Sequence, residues 1–329
     1  MPTDRFDRFQ REHRWFGYPL AVVYKYVDDQ GGYLAALITY YGFLSLFPLL
    51  LALSTILGIV LNGHPHLQQE VLNSAFAQFP VIGNELGQPR QLGGGVTALV
   101  IGFLGTLYGS MGVGQAVQNA MNTAWHVPRN DRPNPFKVRG RSLLLLLTTG
   151  LVVLGTTVLT VVRGTISDLG GLTGLLTIVL SVVLNAGVFT LAFRIATARD
   201  LSWRQVAPGA FTAAIGWQIL QKFGGDYVRH VVAHSSATNS VFALVLGLIA
   251  FLYVAAVMFM LCVEVDVVRV NRLYPRSLLT PFTDDVDLTR GDRATYRGAA
   301  KAQRNKGFED IHVHFHPQPK PPRDSEADR

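Results

Sequence analysis

Residues 230–263 read HVVAHSSATNSVFALVLGLIAFLYVAAVMFMLCV and contain no Asp, Glu, Lys or Arg. A helix needs about 20 mostly apolar residues to cross the hydrocarbon core of a bilayer. This run is long enough, and it predicts a span over 239–264. Charge is equally absent over 30–69, 91–128, 142–162, 169–193 and 205–221. We place the corresponding spans at 36–61, 93–113, 142–163, 172–194 and 206–223. One such run could be the core helix of a soluble domain. Six in one chain leave too little polar surface to coat a globule.

Lys and Arg between the runs set the orientation. Arg5, Arg8, Arg11, Arg14 and Lys25 precede the first span, and Arg90 alone follows it. Arg129, Arg132, Lys137, Arg139 and Arg141 lie between the second and third spans. Only the flanking Arg163 marks the third connection. The fourth has Arg194, Arg199 and Arg204, the fifth Lys222 and Arg229, and Arg269, Arg272 and Arg276 follow the last span. Basic-rich and basic-poor segments alternate, which fits an even number of spans with both ends inside. The expected fold is therefore all-α: a polytopic membrane protein of six transmembrane helices, N-in and C-in, with amphipathic interfacial helices.

Composition agrees. Of the 329 residues 49% are apolar and 16% charged, and the formal net charge is +7. A soluble domain carries roughly 25% charged residues. The basic excess is largely the topology signal, and no basic groove interleaved with aromatics points to nucleic acid. The single cysteine, Cys262, rules out a disulfide or a cysteine zinc site within one chain. No apolar stretch near Met1 suggests a cleaved signal, so the first span is expected to direct insertion.

Three segments lie outside the spans. Leu67, Val71, Leu72, Ala75, Phe76 and Phe79 recur at helical spacing, so 67–79 is expected to form an amphipathic outer helix ended by Pro80. Gln115, Gln118, Asn119, Asn122 and His126 form a polar stripe continuing the second span, which must face water or other polar groups. Residues 277–329 hold nine basic and nine acidic residues with little apolar periodicity, a composition that cannot fold alone. The organisation expected is a cytoplasmic N-terminal segment with a juxtamembrane helix (1–32), a six-helix membrane domain (33–272) and a mostly disordered cytoplasmic tail (273–329).

Candidate site residues are the polar groups of the spans. Tyr40 and Ser45 precede Pro48, which removes a helix hydrogen bond and bends the first span. Asn119, Asn122, Asn185 and Gln218 are carboxamides in or beside spans, and Glu264 is an acid at the end of the last. Interhelical hydrogen bonding explains them as well as a cavity does. Gly105 and Gly109 place small residues on one face for close helix approach. His312, His314 and His316 alternate in the tail and are weak metal candidates, since nothing completes a site. No Asp, Glu, Lys or Arg lies near the middle of a span, which argues against a conventional cation–proton antiporter. Walker, His-Glu-x-x-His and Gly-x-Ser-x-Gly motifs are absent from the sequence, so no enzyme and no cofactor is expected.

Three stretches resemble the YihY/BrkB family of bacterial inner-membrane proteins, also filed historically under ribonuclease BN. They are Leu34–Tyr41 running on through Ser45–Pro48; Gly112–Asn122 with Trp125 and Arg139–Arg141; and Pro208–Ala210 with Trp217, Tyr227, Tyr253 and Glu264. The resemblance covers about 15–272. Where the family pattern has a Gly-Ala pair before the last acid, this chain has Cys262-Val263. The resemblance implies six membrane helices, the cytoplasmic membrane, a link to virulence and serum resistance, and a suggested transport role. It does not support a ribonuclease, because no His-x-His-x-Asp-His motif is present.

The function expected is a transporter or exporter of an unknown, amphipathic or lipid-like solute. The alternative is a non-transporting envelope scaffold that recruits partners. Membrane lipid and the solute are the expected partners, nucleic acid is not, and self-association into a homo-oligomer is left open.

Overall fold

The computed structural model describes residues 2–60, 95–148, 171–231, 237–284 and 286–316. Among them every regular element is helical. Two short helices, α1 (Pro2–Glu12) and α2 (Arg14–Asp28), lead into the long α3 (Gly31–Val60). Then come α4 (Gly95–Ala124), a 3₁₀ turn (Arg129–Asp131) and α5 over 135–148. The long α6 (Gly171–Ala196), α7 (Trp203–Val231) and α8 (Ala237–Asn271) follow, and α9 (Arg290–Ala302) is the last helix among the described residues. The outer helix expected at 67–79, the second half of the third span and residues 317–329 lie outside the described residues.

The long helices pack in a bundle. α3 lies against α4 and α8, α7 against α6 and α8, and α2 along the end of α8. Small residues permit the closest approach. A Cβ on Gly109 would stand 2.6 Å from that of Ser45, and one on Gly112 would overlap the Tyr41 ring. Gly109 and Gly112 therefore pack α4 onto α3, and Gly109 is one of the two residues that the small-residue spacing singled out. On α7, Gly209 has no room for a side chain against the Cys262 carbonyl and Asp266. The close backbone approach thus comes from α7, opposite the Cys262-Val263 pair.

The outward surfaces are apolar. Phe211, Ile215, Ile219 and Phe223 form a four-residue-spaced exposed stripe on α7. Val179, Leu180, Val183 and Leu184 do so on α6, and Val100, Leu104 and Tyr108 on α4. Within Val179–Ala196 only 17% of the residues are buried, and within the most apolar 18-residue window of Val245–Asn271 only 33%. These two helices are long and apolar enough to cross a membrane. The core helix of a soluble domain would hide such a face; hydrocarbon leaves it satisfied.

Helix ends meet on one side. Arg141 donates to the Thr197 carbonyl at 3.4 Å, joining α5 to the end of α6. The Ala198 amide donates to Asn122 Oδ1 at 2.7 Å, joining that same turn to α4. Arg269 on α8 donates to the carbonyls of Arg204 and Gln205 at 2.9 and 2.7 Å. These are the basic-rich connections of the sequence.

Residues 273–316 are not the disordered stretch expected of them. Thr289 and Asp292 form a reciprocal capping box that starts α9. Asp292 also binds Arg276, Nε to Oδ1 at 2.5 Å, and Arg276 reaches Asp28 on α2 at 2.8 Å. Gln10 on α1 donates to the Arg276 carbonyl at 2.5 Å. The composition cannot sustain a free-standing fold, but here the segment wraps onto α1 and α2, which supply the missing partners. Both end segments therefore sit on one side of the molecule.

Candidate functional site

The first element of the site is an i,i+4 pair. Lys25 in the last turn of α2 and Asp29 at its C-cap share one helix face and form an ion pair. Gln30 and His126 both adopt left-handed backbone, φ 56° and 50°, and these turns stop α2 and α4. The α4 turn aims the imidazole back at α2, with Nε2 3.4 Å from Asp29 Oδ1. Lys25 Nζ donates to the Ala124 carbonyl at 3.0 Å, where the C-terminal end of α4 favours a cation.

α8 completes the cluster. Glu264 Oε2 lies 3.7 Å from Lys25 Nζ, and both side chains are 0% exposed. Neither Glu264 oxygen accepts a hydrogen bond. Asp29 and Glu264 both lie at Lys25 Nζ, so two carboxyls share one ammonium. Two carboxyls, one ammonium and one imidazole from α2, α8 and the end of α4 thus occupy a buried site. α9 covers its edge: a Cβ on Gly298 would overlap His126 Nδ1.

The electrostatics follow from burial. Burial works to raise the Asp29 carboxyl, but Lys25 and His126 outweigh it and hold Asp29 below the usual carboxylate range. Burial pushes His126 below an ordinary imidazole, against the pull of its contact with Asp29. A second buried group lies beside the first. Burial opposes the Arg276 charge, yet Asp28 and Asp292 outweigh it and hold the guanidinium above its ordinary value. Asp28 itself is raised by burial, offset in part by Arg276. Tyr18, whose hydroxyl donates to the Val265 carbonyl at 2.5 Å, is pushed up to about 12 by burial and then by Asp266.

The residues singled out in the sequence are scattered. Tyr40 is 60% exposed and touches Tyr41. Ser45 donates to its own helix at Gly42. Asn119 is exposed and accepts from Arg132 at 3.0 Å. Asn122 is buried and holds the 196–203 turn through the Ala198 amide. Asn185 and Gln218 are half-buried on α6 and α7. Pro48 lies within α3, its side chain outside the described ones. Glu264 alone belongs to the charge cluster. Among the described residues no hydrogen bond or ion pair joins any two of the eight. His312, His314 and His316 are exposed along an extended strip, and Ile311, Val313 and Phe315 alternate with them half-buried.

The sequence reading missed Lys25, Asp29, Asp28 and Arg276, and placed His126 only in the polar stripe. A Lys-x-x-x-Asp pair just before the first span is the one local signal; the contact with Glu264 has none.

Residues 22–284 match a protein-family model described as Virulence factor BrkB. No curated protein and no solved structure matches the chain.

Proposed function

The chain belongs to the BrkB virulence-factor family, and from that premise we propose that it is a six-span protein of the cytoplasmic membrane that carries a neutral, amphipathic or lipid-like solute. On this reading both termini are cytoplasmic, and the protein performs no catalysis. The observation that carries it is the buried Lys25–Asp29–Glu264 cluster. It ties α2 to α8 at the side where the basic connections gather, while the helices leading away from it present apolar stripes outward. A bundle whose costly charged contacts are concentrated at one end has a discrete closure there, as alternating access requires. Opening would separate α2 from α8 and expose the helix ends between them.

The test is reconstitution of the full chain into phospholipid vesicles. Movement across the bilayer is followed for a fluorescent phospholipid and a fluorescent single-chain amphiphile. Transfer of either probe faster than in protein-free vesicles, with a rate changed by Lys25→Ala, supports the reading. Protein-free rates for both probes contradict it.

The scaffold reading draws on the ordered C-terminal segment, which Arg276 ties to Asp28 on α2 and Arg304 ties to Asn130 and Asp131 in the 3₁₀ turn, and which presents a folded surface to partners. A strain lacking residues 286–329 distinguishes the two: a scaffold acting through its tail loses its phenotype, whereas a carrier retains flux.

A further inference from the structure

We infer that the Asp29–Glu264 pair holds one exchangeable proton, carried on Glu264, making the α2–α8 contact a proton-binding latch. This deepens the reading above by naming the ion that acts on the closure. The starting point is a charge count. Lys25 contributes one positive charge, and two ionised carboxylates would contribute two negative ones, in a site where Lys25 and Glu264 are 0% exposed. An unbalanced buried charge is costly, and groups so placed neutralise instead. Two carboxyls crowded on one site resolve the repulsion by holding a proton between them.

Hydrogen-bond geometry says where the proton goes. Lys25 Nζ is committed to Asp29 and to the Ala124 carbonyl, and it stands 3.7 Å from Glu264. Both Glu264 oxygens therefore lack a donor, although the side chain is fully enclosed. A proton on the Asp29–Glu264 pair supplies that donor and brings the site to neutrality in one step. The groups facing the pair are Lys25 from α2 and His126 from the end of α4. Asp28 is turned to Arg276, and Asp266 to the Gly209 amide and Arg269. His126 is the remaining candidate proton carrier; its burial favours the neutral ring, which leaves the carboxyl pair. Loss of the proton would set two carboxylates against a single ammonium and drive α8 from α2.

Infrared spectroscopy of the purified full chain at neutral pH tests this without reference to transport. The expected result is a carbonyl stretch of a protonated carboxyl that shifts in deuterated water, is lost in Glu264→Gln and persists in Asp266→Asn. Absence of the band in the wild type overturns the inference, and so does its survival in Glu264→Gln. Should Glu264→Gln fail to fold, Asp29→Asn and Asp266→Asn decide: a band altered by the first and not the second supports the pair, and the reverse overturns it. Failure of the vesicle assay would leave this band in place, so the two proposals fail separately.

Discussion

Lys25 and Glu264 stand 3.7 Å apart with neither side chain exposed, the first on a helix that precedes the bundle and the second on the last long helix of it. The pair makes α2 part of the bundle's structure. Removing one partner of a buried ion pair costs about 3–5 kcal/mol, because the other charge is left uncompensated.

Lys25→Met is therefore expected to destabilise the protein by about 3–5 kcal/mol, read as the thermal midpoint of tryptophan fluorescence in detergent micelles. Lys25→Met combined with Asp29→Asn should recover much of the loss, since Asp29 is the carboxylate that Lys25 pairs with directly and no orphan charge then remains on α2. A single variant as stable as the wild type would show that the cluster holds nothing together.

Acidification should weaken the fold through two groups. Burial holds the His126 imidazole below its unfolded value near 6.5, so the unfolded chain takes up a proton first as the pH falls. Stability then drops as the pH goes below about 6.5. Asp29 is held below its unfolded 3.8, so its contribution is present above that value and is lost as the pH falls further. Thermal midpoints of wild type and His126→Gln, measured on either side of pH ~6.5, check the first part. The slope just below that pH should flatten in the variant.

Arg276 ties the C-terminal segment to α2 through Asp28 and to α9 through Asp292. Arg276→Leu should release the stretch from Ser277 to the start of α9 to faster protease cleavage while the helical bundle survives intact, with the far end of α9 still tied to Asn130 and Asp131 through Arg304. Arg276→Lys should release it as well, because an ammonium cannot replace a guanidinium spanning two carboxylates. Limited proteolysis with mass detection of the fragments gives the answer; equal protection of wild type and both variants would refute the tie.

Gly109→Val should force α4 away from Ser45, which a Cβ would meet at 2.6 Å. Overpacking of this kind costs about 1–3 kcal/mol. Gly187→Ala, with nothing within 4 Å of the added carbon, is the control. It should be neutral or stabilising by up to about 1 kcal/mol on helix propensity. Thermal midpoints of both variants make the comparison.

The helices were legible because their signal is local. Charge-free runs announced α3, α4, α6, α7 and α8, and Gly109 packs on α3 as its spacing suggested. The polar stripe on α4 was legible as a set of groups needing partners. What the partners are was not: Gln118 finds the Ser142 hydroxyl and the Val138 carbonyl on α5, and Asn122 finds the Ala198 amide. Glu264 stood out as an acid at the edge of a span. Lys25 looked like one more orientation charge, since nothing in a sequence distinguishes a cation facing cytoplasm from one folded back beneath a distant helix. The tail was misread for the same reason. Its charge density forbids an independent core, and its partners lie far away in the chain: Gln10 and Asp28 for Arg276, Asn130 and Asp131 for Arg304.

Orientation is the claim on which the rest depends, and cysteine labelling in intact cells measures it. In a Cys262→Ser background, Glu12→Cys, Ser202→Cys, Asn305→Cys and His64→Cys are each treated with a membrane-impermeant maleimide. The account predicts labelling of position 64 in intact cells, and of positions 12, 202 and 305 only after the membrane is opened. Labelling of any of those three from outside, or protection of position 64 that ends only on permeabilisation, would contradict it.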